Sequence, residues 1–205
     1  MNVAEVFRRI TAALDQAGIP YMLTGSFASA YYGVPRSSQD IDLIIEATPA
    51  RLHTFIQLLP SGEYYADLEM ALEAQKRQSL FNVIDLLAGW KIDLIFRKSR
   101  PFSEEEFGRR KQVVLEGFAI FAASAEDVVV AKLEWAKLAQ SRRHIEDVAG
   151  ILGMRWDSLD DGRQSKLPAG NSNCRPSLCW LPPSFWQLGL PRACPALLAL
   201  IFGGP

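Results

Sequence analysis

The chain has 205 residues, 49% of them hydrophobic and 22% charged, with a formal net charge of −1. That length supports one globular domain with a buried core, and the charge balance excludes a polycation built to coat nucleic acid, so a nucleic-acid partner would need a local basic patch. No run reaches the roughly 20 apolar residues of a membrane span, and the N-terminus carries charges throughout in place of a signal-peptide core, so a cytoplasmic protein without a membrane partner is expected.

In chain order, apolar residues at 3, 6, 7, 10, 13, 14 and 17 form one helical stripe, ended by Gly18. A short strand follows to residue 23, then a turn at Gly25-Ser26 and a short helix over 27–32, stopped by Gly33 and Pro35. Residues 40–45 (DIDLII) predict a strand with Ile41, Leu43 and Ile45 on one face and Asp40, Asp42 and Ile44 on the other. Thr48-Pro49 starts a helix over 49–59, and a second helix covers about 66–76. Residues 81–86 and 91–96 predict a hairpin around Ala88-Gly89. A short helix at 104–111, strands near 112–116 and 118–121, a long helix capped by Ser124 and running to 139, and a last helix at 142–152 complete the ordered part. The order predicts an α+β fold: a small mixed β-sheet flanked by helices over about 1–122, then a helical C-terminal part over about 123–160.

Composition breaks near residue 160. From Gly162 onward there is no acidic residue, and seven of the twelve prolines fall there. Proline at this density breaks helices and sheet ladders, while Trp180, Phe185, Trp186 and the LLALIF run are too apolar for a disordered linker. Two accounts stand for 161–205: an irregular segment packed on the domain, or a C-terminus produced by a frameshift or misplaced stop. The second is preferred because the preceding helix stops without the continuation its pattern promises. The three cysteines, Cys174, Cys179 and Cys194, all lie in this tail. With His53 and His144 far away in sequence they offer no zinc-ligand spacing, and they are expected to be incidental thiols.

Chemistry concentrates in residues 24–45. Asp40 and Asp42 share a strand face roughly 6–7 Å apart, and side-by-side carboxylates repel unless a cation sits between them. Mg²⁺ is the natural cation, because it takes hard oxygen ligands and keeps substrate phosphates in its shell. Three features mark this pair as more than a solvated edge. Leu43-Ile44-Ile45 makes the strand a core strand. Gly25-Ser26 stands at a strand end before a helix, where backbone N–H groups and a hydroxyl suit a phosphate. Asp93 is a lone acid in the apolar run Ile92-Asp93-Leu94-Ile95-Phe96, where a carboxylate needs a partner or a function.

The pattern of Gly-Ser, about a dozen residues, Asp-x-Asp and a distant strand Asp resembles the DNA-polymerase-beta-like nucleotidyltransferase superfamily. The finer pattern LTGSFASAYYG, Arg36, DIDLII and SAEDVVVAKLEWAKLAQSRRHIEDVAGIL is similar to its bacterial AbiEii/AbiGii-toxin-like branch, or to a related uncharacterised nucleotidyltransferase family, over about residues 1–160. The resemblance implies that Gly25 and Ser26 hold the nucleotide phosphates, that Asp40 and Asp42 ligate Mg²⁺, and that Asp93 completes the cluster and serves as general base. Asp85 is a rival for the third place. Arg36, on the loop before the acid pair, and Lys132, inside an apolar helix, are candidate phosphate contacts, each set against a surface alternative. Asp147 matches an acid near the end of the family motif, with an i−4 salt bridge to Arg143 as the local alternative. His144, Trp90 and the Tyr31-Tyr32 pair are expected to be structural.

The implied reaction moves an NMP from an NTP, ATP among the candidates, to a hydroxyl of tRNA, a protein or a small molecule. Such an enzyme can serve as the toxin of a toxin–antitoxin or phage-defence pair, with a cognate antitoxin as partner. The alternatives are an antibiotic-type small-molecule transferase and a catalytically inactive nucleotide-binding relative. A tRNA acceptor calls for a basic patch, for which Arg8-Arg9, Arg109-Arg110-Lys111 and Arg142-Arg143 are the candidate pieces.

Overall fold

Strand alternation and helical stripes assemble one mixed sheet with helices packed on it. The computed structural model of the chain describes residues 3–155; the 161–205 tail, its cysteines and the proposed boundary at 160 lie outside them. The elements are α1 (Val3–Gln16), β1 (Tyr21–Leu23), α2 (Gly25–Tyr32), β2 (Asp40–Ile45), α3 (Pro49–Leu58), β3 (Tyr64–Tyr65), α4 (Leu68–Arg77), β4 (Leu80–Asp85), β5 (Trp90–Phe96), α5 (Pro101–Gly108), β6 (Lys111–Leu115), β7 (Phe118–Ala122), α6 (Ala125–Ala139) and α7 (Arg142–Arg155). The seven strands run in the order β3-β4-β5-β2-β1-β7-β6. The expected α+β class, with a mixed sheet and a helical end, is what the chain adopts. No described helix is long and apolar enough to cross a membrane.

Two local expectations shift. The helix placed at 104–111 begins at Pro101, because proline fixes φ for a first helical turn and needs no N–H there. β3 was not foreseen; a two-residue strand carries no readable period, and its pairing with Ile84 and Asp85 is what joins it to the sheet.

The centre of the sheet is the parallel pair β2–β5, with Ile41, Leu43 and Ile45 set beside Ile92, Leu94 and Phe96 on the buried face. Phe81 and Val83 of β4 extend that face. Asp85 is on it too and fully buried, which removes it from the rivalry for the third acidic place. Its carboxylate accepts from the Leu87 and Ala88 amides and pairs with Arg9 of α1, so it ties the hairpin turn to the first helix. Phe27, next to Ser26, packs edge-on against Phe7 of α1 at 5.1 Å and lies 5.9 Å from Trp90 of β5. Trp90 is therefore a packing residue, as is Tyr32, whose hydroxyl donates to the Ala123 carbonyl at 2.9 Å.

α2 also meets α7 backbone to backbone. A Cβ on Gly33 would lie 2.7 Å from the Ile151 nitrogen and 2.9 Å from the Gly150 carbonyl carbon. Gly33 has φ −126, outside the left-handed region, and the demand on it is chiefly for space. Backbone cannot rotate aside as a side chain can. Gly33→Ala is expected to destabilise the protein by about 1–3 kcal/mol, the usual cost of overpacking, read as a lower urea midpoint at unchanged slope.

Candidate nucleotide and metal site

β2 and β5 run parallel with Asp42 directly opposite Asp93 and Asp40 opposite Lys91. Neighbouring strands are about 4.8 Å apart, so the register sets the Asp42 and Asp93 carboxylates side by side on the face away from the core. Burial first, and the Asp93 charge second, push Asp42 up to about 6, although the Ser26 backbone amide and Lys132 pull the other way. Asn82 of β4, the register partner of Asp93 on its other side, donates its side-chain N–H to Asp93 Oδ1. Asp40 stands at the start of β2 with its side chain 55% exposed.

The Gly25–Ser26 turn is the first turn of α2, so its amides lie at a helix N-terminus. Gly25 has φ +66, in the left-handed region, and a Cβ there would come within 2.7 Å of Asp42 Cβ. Only glycine satisfies both the conformation and the close approach to the acid.

Two cations border the same place. Arg36 donates through Nη2 to Ser26 Oγ at 2.6 Å and through Nε to Asp147 Oδ1 at 2.7 Å. Lys132 Nζ lies 2.7 Å from Asp147 Oδ2, with side chains only 6% and 5% exposed. This settles the surface alternatives. Lys132 is buried, and Asp147 joins Arg36 and Lys132 instead of Arg143. Burial would raise the Asp147 carboxyl, but the hydrogen bonds from Arg36 and Lys132 outweigh it and hold the group below its ordinary value. His144, one turn earlier on α7, is half-buried; burial and the Lys132 charge keep its imidazole below its ordinary value.

Sequence reasoning missed Lys91 and Asn82. Lys91 was readable by the two-residue period of a strand, which puts it on the face of Asp93. Its Nζ lies 3.1 Å from Asp93 Oδ2 and 3.7 Å from Asp40 Oδ1. Among the described residues no three acidic, histidine or cysteine side chains close into a metal-holding set as placed. The donor chemistry nevertheless fits a hard dication: Asp42 and Asp93 are paired acids on one face, and burial together with the Asp93 charge disfavours the ionised form of Asp42.

No family model and no curated protein matches the sequence. Among solved structures the fold is similar to the antibiotic-resistance factor ANT(2'')-Ia in solution, at TM-score 0.51 and 17% identity over 75% of this chain and 85% of that one. The chain has the nucleotidyltransferase fold. A crystal structure of ANT(2'')-Ia in complex with adenylyl-2''-tobramycin aligns at TM-score 0.49 and 17% identity over 73% of this chain and 87% of that one. An antigenic nucleotidyltransferase-like protein from Paracoccidioides brasiliensis aligns at TM-score 0.45 and 17% identity over 72% and 73%.

The basic pieces expected to form a nucleic-acid patch are largely matched by acids. Arg9 pairs with Asp85 and Glu63, Arg109 with Asp127 and Glu105, and Arg142 with Glu146. Arg8 pairs with Glu5 at 3.7 Å, and Arg110 lies over the Phe107 ring at 4.4 Å.

Proposed function

We propose that the protein is a Mg²⁺-dependent nucleotidyltransferase that moves an NMP from an NTP to a hydroxyl acceptor. The observation that carries this is the register of β2 and β5, which sets Asp42 beside Asp93 while the α2 N-terminus, Arg36 and Lys132 border the same face. The fold likeness is consistent with it. The Gly25–Ser26 turn at the α2 N-terminus holds phosphate oxygens, and Arg36 and Lys132 supply fixed positive charge to the triphosphate. Asp40, Asp42 and Asp93 would hold Mg²⁺, which supplies charge neutralisation between the acids and the phosphates. Asp93 takes the proton from the acceptor hydroxyl; the acceptor oxygen bonds to the α-phosphorus, and the bond to the β-phosphate oxygen breaks to release pyrophosphate.

A small-molecule or protein hydroxyl is favoured over tRNA, because Arg9 and Arg109, two of the arginines expected to bind a polyanion, are tied to buried acids of the fold. The small-molecule case would make the protein an antibiotic-type transferase. A protein acceptor suits the toxin of a toxin–antitoxin pair, a role that rests on the motif resemblance.

The test is to incubate the protein with Mg²⁺, each labelled NTP in turn, and total RNA, cell protein or a panel of hydroxylated small molecules. Wild type should label one acceptor class and an Asp40→Ala/Asp42→Ala variant none. Equal labelling by both proteins would remove the catalytic assignment, and labelling of RNA alone would reverse the acceptor preference.

A further inference from the structure

Lys91 occupies a position for which the proposed chemistry has no use. It stands on β5 opposite Asp40 and two residues before Asp93, so it shares the face of the acids. Its ammonium bridges Asp93 Oδ2 at 3.1 Å and Asp40 Oδ1 at 3.7 Å, and Asp42 adds its attraction. Those are the carboxylates that would receive the dication. The side chain is 44% exposed on a flexible four-carbon stem, whereas that of Asp93 is 13% exposed on a central strand. The lysine can leave and the carboxylate cannot.

We propose that the Lys91 ammonium is an internal stand-in for the divalent cation. It neutralises Asp40 and Asp93 while the site is empty, and it must swing out before the metal can bind. The inference rests on the metal-site reading above and adds a control to it. The metal on its own competes with a tethered positive charge and binds weakly. The displaced ammonium then lies at the edge of the site, next to where a triphosphate arrives, so nucleotide and metal favour one another's binding.

Mn²⁺ binding to the full chain without nucleotide, followed by the EPR signal of free Mn²⁺, tests this. Lys91→Met and Lys91→Gln should bind Mn²⁺ roughly 30-fold more tightly than wild type, because the metal no longer has to break an ammonium's attraction to carboxylates 3.1 and 3.7 Å away, about a factor of 5 for each contact in near-aqueous surroundings. Lys91→Arg should keep the weak affinity. Adding Asp42→Asn to Lys91→Met should abolish the gain and so locate the ion at the acids. Circular dichroism of each variant confirms folding, and the glutamine variant stands in should the methionine one fail. Affinity unchanged in both neutral variants, with Asp42→Asn still abolishing binding, would overturn the stand-in role while leaving the metal site in place. Failure of wild type and neutral variants alike to bind Mn²⁺ would overturn both.

Discussion

Asp42→Asn is expected to abolish nucleotide transfer and at the same time stabilise the metal-free protein at neutral pH. The activity loss should be about 10²–10³-fold, the scale at which single preorganised electrostatic groups act. The stability gain follows from the direction of the Asp42 shift. Burial, with the Asp93 charge behind it, pushes the carboxyl from 3.8 to about 6 in the folded protein. The folded state therefore holds the proton more tightly than the unfolded chain does. Stability contributed by this group is greatest below about pH 4, falls as pH rises towards 6, and stays low above that. That difference in proton affinity corresponds to about 3 kcal/mol, and partial solvent access to a half-buried carboxylate reduces this to about 1–2 kcal/mol. Asparagine cannot ionise and keeps an oxygen to accept from the Ser26 amide. Urea unfolding without divalent cations at pH 4.5 and 7.5 should show the variant gaining on wild type by that amount across the interval. A difference between the two proteins that does not change with pH would show that Asp42 is not held unfavourably ionised.

How much of this was legible in the sequence depends on whether the deciding contact is local. DIDLII announced its two faces by alternation, and β2 has them, with Ile41, Leu43 and Ile45 fully buried. The parallel pairing of β2 with β5 joins strands distant in sequence, and alternation fixes the face each strand buries but not which residues stand opposite one another. Asp93 stood out because an acid inside an apolar run needs a reason. Asp85 stood as a rival, less favoured because its strand is shorter, and pairing shows it on the other face, fixed by Arg9 and a turn. Asp147 shows the opposite difficulty. Sequence spacing presents Arg143 as an i−4 partner, whereas the partners it has are Arg36, 111 positions away, and Lys132, 15 positions away on the preceding helix. The arginine runs were visible as cations; the acids that match them, such as Asp127 for Arg109, come from other elements.

Asp147→Ala is expected to be the most destabilising single change in the site. One carboxylate serves both cations: Oδ1 takes Arg36 Nε at 2.7 Å, and Oδ2 takes Arg36 Nη2 at 3.1 Å and Lys132 Nζ at 2.7 Å. Its removal leaves an ammonium 6% exposed without its hydrogen-bonded counter-charge and frees the guanidinium that reaches Ser26. Stripping one partner from a buried ionic group costs about 3–5 kcal/mol. Lys132→Met should behave differently. It keeps the two-point Arg36–Asp147 pairing and most of the side-chain volume, so it should cost less than about 1.5 kcal/mol in stability while weakening nucleotide binding. The two changes are coupled, and the double variant separates a shared buried charge from two independent contacts. In the Lys132→Met background Asp147→Ala no longer strands an ammonium, so its cost should drop by about 1.5–3 kcal/mol relative to the same change in wild type. Additivity within about 0.5 kcal/mol in urea unfolding would mean that Asp147 does not hold Lys132. The carboxylate lies on α7, beyond the sheet, and the cations it holds lie on α6 and on the loop before β2. The helical C-terminal part therefore sets the position of the charges that the proposed reaction would aim at the triphosphate.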